Sequence, residues 1–429
     1  MPETTSIPTQ GKFYEIKGST FKGQEDWLSK IAGIAYGNIN DWPIIWDANK
    51  NTLRSGNPNL IYPGEIIFIP KKGLRTDEAD DITGKEKDDF TIITNGVELP
   101  KTAGRITRTI DTACDGWTAE IPWNPGENTD IDDILTPFKF PTAKVYLGNH
   151  LMINGLLYTV TPQLSVNGRI KQCEGFSFTA DIVDSTVTQP YEARKVTLEE
   201  RANKLMQSQG IEVVSEITTD GTFDRVTAKP EDTIFEHLKE LARQRSALIS
   251  NTRQGKLLIT AADLTSEPVA TIEEEFPLPE GYEAKFDGRK IFNSYMAIGQ
   301  SPRAAKKVGK ATDDNVPRSR LLTFSADEST PGNIDQVAEF RRNKEYIQAL
   351  STPIAVSSWY YDETNLKLWD VNQLVYAKSE TLSFPDGFKF LIRQVDYLFE
   401  ESGTSAVLYL VPPEVYSNDP VKLPWSNAV

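Results

Sequence analysis

Cysteine and histidine are scarce in this chain of 429 residues, which has two of each. Cys114 and Cys173 are too few for a disulfide scaffold and suit free thiols in a chain made in a reducing compartment. His150 and His237 lie in no His-Glu-x-x-His or comparable spacing, so a zinc hydrolase lacks its nitrogen ligands. Long apolar runs are missing too. No stretch reaches the roughly 18 apolar residues of a membrane span, and the opening MPETTSIPTQ has neither a basic region nor an apolar core of a signal peptide. Basic residues are outnumbered, 46 against 61 acids, for a net charge of -15. That balance excludes a clamp that holds DNA through its phosphates. Acidic walls suit a conduit through which nucleic acid slides, although solubility is the commoner reason for such charge. No glycine-rich loop follows a strand and opens a helix, so nucleotide phosphates have no cradle. No fixed period of the solenoid kind is present.

The remaining chemistry is thin. A cysteine nucleophile would need Cys114 or Cys173 beside His150, yet Cys173 falls in a strand-like run where a small buried side chain is the ordinary reading. The acids Asp132-Asp133 and Glu273-Glu274-Glu275 could serve glycoside hydrolysis only at a fixed separation; adjacent exposed acids are usually solvated charge. His237 follows Phe235 and Glu236 on an amphipathic helix and reads as a surface or interface histidine. The expectation is no catalytic residue, no metal, no cofactor and no enzyme. One basic cluster, Arg303, Lys306, Lys307 and Lys310, is a candidate docking loop for an acidic partner or passing DNA, set against a solvated loop.

What is present is ample material for cores, 39% hydrophobic and 25% charged, in a chain too long for one core. Residues 12–70 read as a βααβ unit, with a first helix burying Trp27, Leu28, Ile31, Ala32 and Ala35 and a second at Asp41 to Trp46. Leu74 to Asp89, LRTDEADDITGKEKDD, reads as a solvated acidic tether, able to span about 50 Å if extended. Short alternating runs punctuated by Gly and Pro, such as Arg105 to Ile110, Ala143 to Leu147 and Leu156 to Val160, predict an antiparallel β-sandwich or barrel. At Thr197-Leu198-Glu199-Glu200 a capping box opens a helix; a second helix begins near Pro230, and a hairpin follows through Asn251 to Gly255. After Thr265 the β texture resumes, interrupted by the basic polar loop and by a helix from about Ile334 to Leu350. The fold class is multidomain α+β, mainly β. Its divisions are a module at 1–73, a linker at 74–89, β-barrel or sandwich domains at 90–195 and 266–416 flanking a small α/β domain at 196–265, and a tail at 417–429.

Two family resemblances lie on these residues. Gly18-Ser19-Thr20-Phe21, Ile31-Ala32, Tyr36-Gly37, Trp42, Ile45, Ala48-Asn49, Asn57-Pro58-Asn59-Leu60-Ile61 and Pro63-Gly64 follow the LysM pattern in order, with Ser19 where that family has Asp. The resemblance implies a shallow glycan or partner groove at Gly18, Ser19, Thr20, Phe21, Asn57, Pro58, Asn59, Leu60 and Ile61. Turn geometry alone also accounts for such Gly and Asn residues. From about 90 to 416 the chain resembles the baseplate hub proteins of Mu-like and T4-like contractile tails, the late control D type. That rests on Thr107-Arg108-Thr109-Ile110-Asp111 before Gly116-Trp117, and on Gly175-Phe176-Ser177-Phe178 through Ser185. It rests also on Leu241-Ala242-Arg243-Gln244 with Gly255-Lys256-Leu257, and on Leu368-Trp369-Asp370-Val371-Asn372 with Leu391 to Val395 and Gly403-Thr404.

The second resemblance implies two tail-tube-like domains around an α/β insertion, and a homotrimer whose six barrel units adapt a sixfold tube to a threefold spike and form part of the central conduit. Implied partners are the central spike, the tail tube or its initiator, wedge or sheath-end proteins and the tape measure protein, with DNA passing the lumen without specific binding. The implied place is the baseplate of a virion or injection particle, assembled in the bacterial host cytoplasm. The rival expectation is a LysM-bearing peptidoglycan-binding protein or cell-wall hydrolase.

Overall fold

The computed structural model describes residues 12–16, 27–36, 42–50, 53–55, 57–58, 60–69, 81–165, 168–219, 221–274, 283–299, 307–326 and 334–425. The chain divides into two compact units, Met1–Ala79 and Asp80–Val429.

In the smaller unit β1 (Lys12–Glu15), α1 (Leu28–Tyr36), α2 (Trp42–Asn49) and β2 (Ile66–Ile69) follow the expected βααβ order. The two strands pair antiparallel, with Tyr14 opposite Ile67. Tyr14, Ile16, Leu28, Ile31, Ala32, Ile45, Ile67 and Ile69 form the core. Trp27, expected on the buried face of α1, is instead exposed: it stands one residue before the first turn, so helical periodicity does not carry it inward. Glu65 is buried, and its carboxylate accepts the backbone N–H of Arg54 at 2.8 Å and of Tyr62 at 2.6 Å. One side chain thereby ties both ends of the 54–62 segment.

In the larger unit the first β-rich stretch comprises β3 (Phe90–Thr94), β4 (Val97–Glu98), β5 (Ala103–Thr109), β6 (Gly116–Pro122), α3 (Thr129–Ile134), β7 (Thr142–Leu147), β8 (His150–Ser165) and β9 (Gly168–Ser177). An α/β segment follows: α4 (Ala180–Asp184), β10 (Glu192–Ala193), α5 (Leu198–Met206), β11 (Val213–Ser215), β12 (Val226–Thr227), α6 (Ile234–Arg243), β13 (Leu248–Asn251) and β14 (Leu257–Thr260). Next come β15 (Thr271–Glu273), β16 (Lys285–Phe286), β17 (Ser294–Gly299), β18 (Val308–Thr312), β19 (Leu321–Ala326) and α7 (Ile334–Ala349). The chain closes with β20 (Leu350–Val356), β21 (Tyr360–Asp362), β22 (Lys367–Leu368), β23 (Leu374–Ser379), β24 (Phe384–Glu400), β25 (Gly403–Val411) and a 3-10 turn at Pro413–Tyr416.

Local chemistry sets these boundaries. The Thr197 hydroxyl accepts from Glu200 N while Glu200 reaches back to Thr197 N, and Leu198, Ala202, Leu205 and Met206 turn inward. A matching box at Thr233 and Glu236 starts α6 at Ile234, later than the expected Pro230, because Asp232 is occupied in a turn with Lys229 N. In β6 strict alternation buries Trp117, Ala119 and Ile121. The same alternation in β5 buries Ile106 and, beside it, Arg108.

Several expectations change here. The two β regions are not separate bodies: β24 pairs antiparallel with β5, Gln394 opposite Thr109 through Phe399 opposite Gly104, joining both in one 13-stranded sheet. They share a core in which Trp117, Val145 and Cys173 of the first region meet Trp359, Val395 and Leu408 of the second. Strands β17, β18 and β19 stay outside that sheet and form their own three-stranded layer, with Tyr295, Ala297, Val337 and Ala338 in its core. Part of the supposed basic loop is therefore strand, since Lys310 lies on β18. Of the expected tether, residues 81–89 are folded: the Asp81 carboxylate accepts Leu151 N at 2.8 Å, and Lys85 N donates to Asn149 Oδ1 at 3.1 Å. The expected tail also docks, with Val421 and Leu423 buried and Asn315 Nδ2 donating to Val421 O at 2.9 Å.

Gly155 on β8 and Gly175 on β9 stand where a side chain has no room. A Cβ on Gly155 would collide with the backbone carbonyl of Phe176, and one on Gly175 with the Trp117 ring. Gly155→Ala is expected to cost about 1–3 kcal/mol, as forced overpacking does, and to lower the thermal midpoint. Gly288→Ala, where a Cβ meets open space, should leave the midpoint within error.

Candidate functional site: a buried ionic junction

Two of the hub-like stretches of the sequence, Thr107 to Asp111 and Leu368 to Asn372, meet at the seam between the 13-stranded sheet and the α/β segment. Arg108 projects inward from β5. Its Nε donates to Asp115 Oδ2 at 2.9 Å and its Nη1 to both oxygens of Asp370, at 2.7 and 2.8 Å. Arg253, from the β13–β14 hairpin, donates its Nη2 to Asp370 Oδ2 at 2.6 Å. Asn251 Nδ2 reaches Asp115 Oδ2 at 3.0 Å, and Thr109 N reaches Asp115 Oδ1 at 3.2 Å. Two cations thus face two carboxylates. Burial pulls the Arg108 guanidinium down, but Asp370 and Asp115 outweigh it and hold it above its ordinary range. Burial likewise opposes charge on Asp370, where Arg108 and Arg253 prevail and keep the carboxyl below the usual carboxylate range. Burial raises Asp115, against the pull of Arg108 and Asn251.

Around these three ion pairs, neighbouring segments are tied in. Asn372, in left-handed backbone at φ 65°, donates Nδ2 to Ala261 O at 2.9 Å and accepts Asp263 N at 2.8 Å. Asp111 accepts from Arg393 Nε and, at 2.8 Å, from the Tyr416 hydroxyl. The Tyr397 hydroxyl donates to Trp369 O. Each carboxylate is held by a cation together with an amide or a hydroxyl, so the arrangement is chemically a clamp. In the sequence Arg108 and Asp370 stand only as members of the hub-like stretches, without a role of their own, and Asp115 and Arg253 are not singled out. The available signal was an arginine at an inward position of an alternating strand.

The residues singled out for chemistry scatter. His237 is not at a surface: it is buried on α6, its Nε2 accepts Arg201 Nε at 3.2 Å, and burial with that guanidinium pushes its pKa down to about 4. His150 faces Asp81 at 3.2 Å. Burial and then Asp115 push the Cys114 thiol up to about 12, and burial does the same to Cys173, the opposite of what a nucleophile needs. Asp132 accepts the Trp123 indole N–H at 2.5 Å and Asp133 pairs with Lys139, while Glu274 accepts Ser379 Oγ at 2.7 Å. No group of three or more His, Cys, Asp or Glu able to hold a metal occurs among the described residues. Of the LysM-like groove, Gly18, Ser19, Thr20, Phe21 and Asn59 lie outside the described residues; Leu60 is exposed, Pro58 and Ile61 half-buried, and Asn57 N donates to Ser55 Oγ at 3.1 Å. Arg303 and Lys306 also lie outside the described residues, and Lys307 is exposed.

Asp370→Asn keeps the shape of the junction and removes one of its two negative charges. Leaving buried cations underpaired costs on the order of 3 kcal/mol, which denaturant unfolding at pH 7 should register. The folded pKa of Asp370 is lowered. Its contribution is therefore complete above the unfolded value of about 3.9 and is lost as pH falls through the lower folded value. The stability gap between the unaltered chain and Asp370→Asn should be full at pH 7 and shrink below about pH 4.

Comparison with known proteins places this geometry. Residues 179–261, the α/β segment that supplies Asn251 and Arg253, match the family model "Baseplate hub protein gp44-like, second domain". The chain is 21% identical over 330 residues to baseplate hub protein gp44 of Escherichia phage Mu, covering 73% of this chain and 84% of that protein. It is also 37% identical over 70 residues to the potassium binding protein Kbp of Escherichia coli O6:H1, covering 16% of this chain and only 42% of Kbp. Among solved structures, the 43 kDa tail protein of prophage MuSo2 from Shewanella oneidensis superposes with a TM-score of 0.66 at 20% identity, covering 76% of this chain and 99% of that one. The tail protein from Neisseria meningitidis MC58 gives 0.65 at 16% identity, covering 77% and 98%. Residues 179–261 thus match the gp44-like baseplate-hub second domain, in a chain that has the fold of phage tail proteins and whose similarity to gp44 supports a structural role in the tail baseplate.

Proposed function

We propose that this chain is the hub of a contractile tail or of a related injection particle, acting as a homotrimer that joins a sixfold tube to a threefold spike. The observation that carries this reading is the match to gp44 across 84% of its length. The sheet adds a physical argument: each chain brings two β regions joined at β5 and β24, so three copies would supply six in a closed ring. The partners are then the central spike on one face and the tail tube or its initiator on the other, with wedge or sheath-end proteins and the tape measure protein nearby. DNA passes the lumen without specific binding, in keeping with a net charge of -15. The particle is assembled in the host cytoplasm.

For the smaller unit, the βααβ order and core support a LysM-type module. We assign it an adapter role toward neighbouring baseplate proteins in preference to a contact with the cell wall, because an element held in a crowded assembly has its groove covered and sits at high effective concentration.

Three measurements test these readings. Native mass measurement of the full chain, alone and with spike protein present, is expected to give three copies; a stable monomer under both conditions overturns the hub reading. Incubated with cell-wall sacculi, the full chain should release no muropeptides, and titration with chitin oligomers should show no affinity. Clear binding lost on Asn57→Ala with Leu60→Ala would replace the adapter by a wall contact.

A further inference from the structure

A cleft of about 580 Å³ opens where α6, α7 and the segment between β16 and β17 meet. Lys239, Arg289, Lys290, Arg341 and Lys344 line it against two acids, Asp111 and Glu345. That is a local cationic excess on a chain of net charge -15. Part of it is already answered, since Arg289 pairs with Asp287 at 2.6 Å and Arg341 with Glu345 at 2.6 Å. Lys239 donates to Asp111 O at 3.1 Å. Lys290 and Lys344, both exposed, make no ion pair among the described residues. Burial, and after it the neighbouring Lys344, hold the Lys239 ammonium below its ordinary range. Like charges held side by side in this way are relieved by an anion.

The cleft does not end at its cations. It shares Asp111, Lys239, Lys344 and Ile347 with a second cleft of about 170 Å³, whose lining includes Leu248, Phe340, Val415 and Tyr416. The groove therefore runs from an apolar end to a cationic end. We propose that it docks an acidic peptide segment of a partner protein, seating an apolar side chain beside Phe340 and Val415 and its carboxylates over Lys290 and Lys344. A nucleic acid fits less well. Single strands follow a continuous basic track, whereas here the track gives way to Glu236 and Glu240 at the apolar end.

The groove stands apart from the hub reading, because its charge and shape belong to one chain and its test does not depend on assembly. The full chain is titrated against a fluorescent twelve-residue peptide carrying four Asp or Glu beside a Leu-Phe pair, with anisotropy as readout. Saturable binding that weakens with salt is expected. It should fall at least about tenfold in the Lys290→Glu, Lys344→Glu double variant, where attraction becomes repulsion, and also fall in Phe340→Ala. Lys204→Glu, on the exposed side of α5, should leave it unchanged. The altered lysines are exposed, and circular dichroism checks that each variant is folded. Absence of peptide binding, binding indifferent to the double variant, or tighter binding of a single-stranded oligonucleotide than of the peptide would each overturn the proposal.

Discussion

The guanidinium of Arg108 points into the protein from a strand whose neighbouring inward residue is Ile106, and a charge in that position is tolerable only if opposite charges reach it. That requirement draws together segments far apart in the chain. Asp115 arrives by the turn after β5, and Asp370 from 262 positions away. With two carboxylates present, one arginine is not enough; Arg253 from the α/β hairpin restores the balance and Asn251 takes a remaining lone pair. A hydrophobic pair would hold the same elements together with less desolvation cost. An ionic cluster holds them in one relative geometry, because each fork-and-carboxylate contact is directional.

The sheet extends that constraint. Joining β24 to β5 makes the two β regions one body with one core, so surfaces on either half keep a fixed relation to the other. For the proposed hub, which would meet neighbours on two faces, such a relation matters more than any single contact. Asp111 links the junction to the surface: it accepts from Arg393 and Tyr416 and also lines both parts of the cationic groove.

The hub-like stretches were legible as a colinear set, but not as a cluster. Nothing in Thr107 to Asp111 or in Trp369 to Asn372 says that Arg108 and Asp370 touch. The α/β segment was read most fully, since capping at Thr197, the apolar faces of α5 and α6 and the hairpin into β14 are set by residues within a few positions of one another. The errors share one cause. Residues 81–89, His237 and the residues after 416 read as exposed from local polarity, whereas their environments are decided by what packs against them from elsewhere; Trp27 reads as buried from helical spacing but precedes the first turn of α1.

By itself the sequence determined the βααβ order of the first unit, the alternating strands, the helix starts marked by capping, and the scarcity of histidine, cysteine and basic charge. These follow from periodicity, short-range hydrogen bonding and composition, all of which act within one turn or one strand. Only the tertiary structure decided that two β regions form one sheet, that Asp81 and Val421 lie against the larger unit's body, that burial, with Asp115 beside Cys114, holds both thiols above their ordinary range, and that Arg108 finds Asp115 and Asp370. Burial and charge pairing across hundreds of residues depend on which surfaces the chain brings together, and no local pattern carries that information.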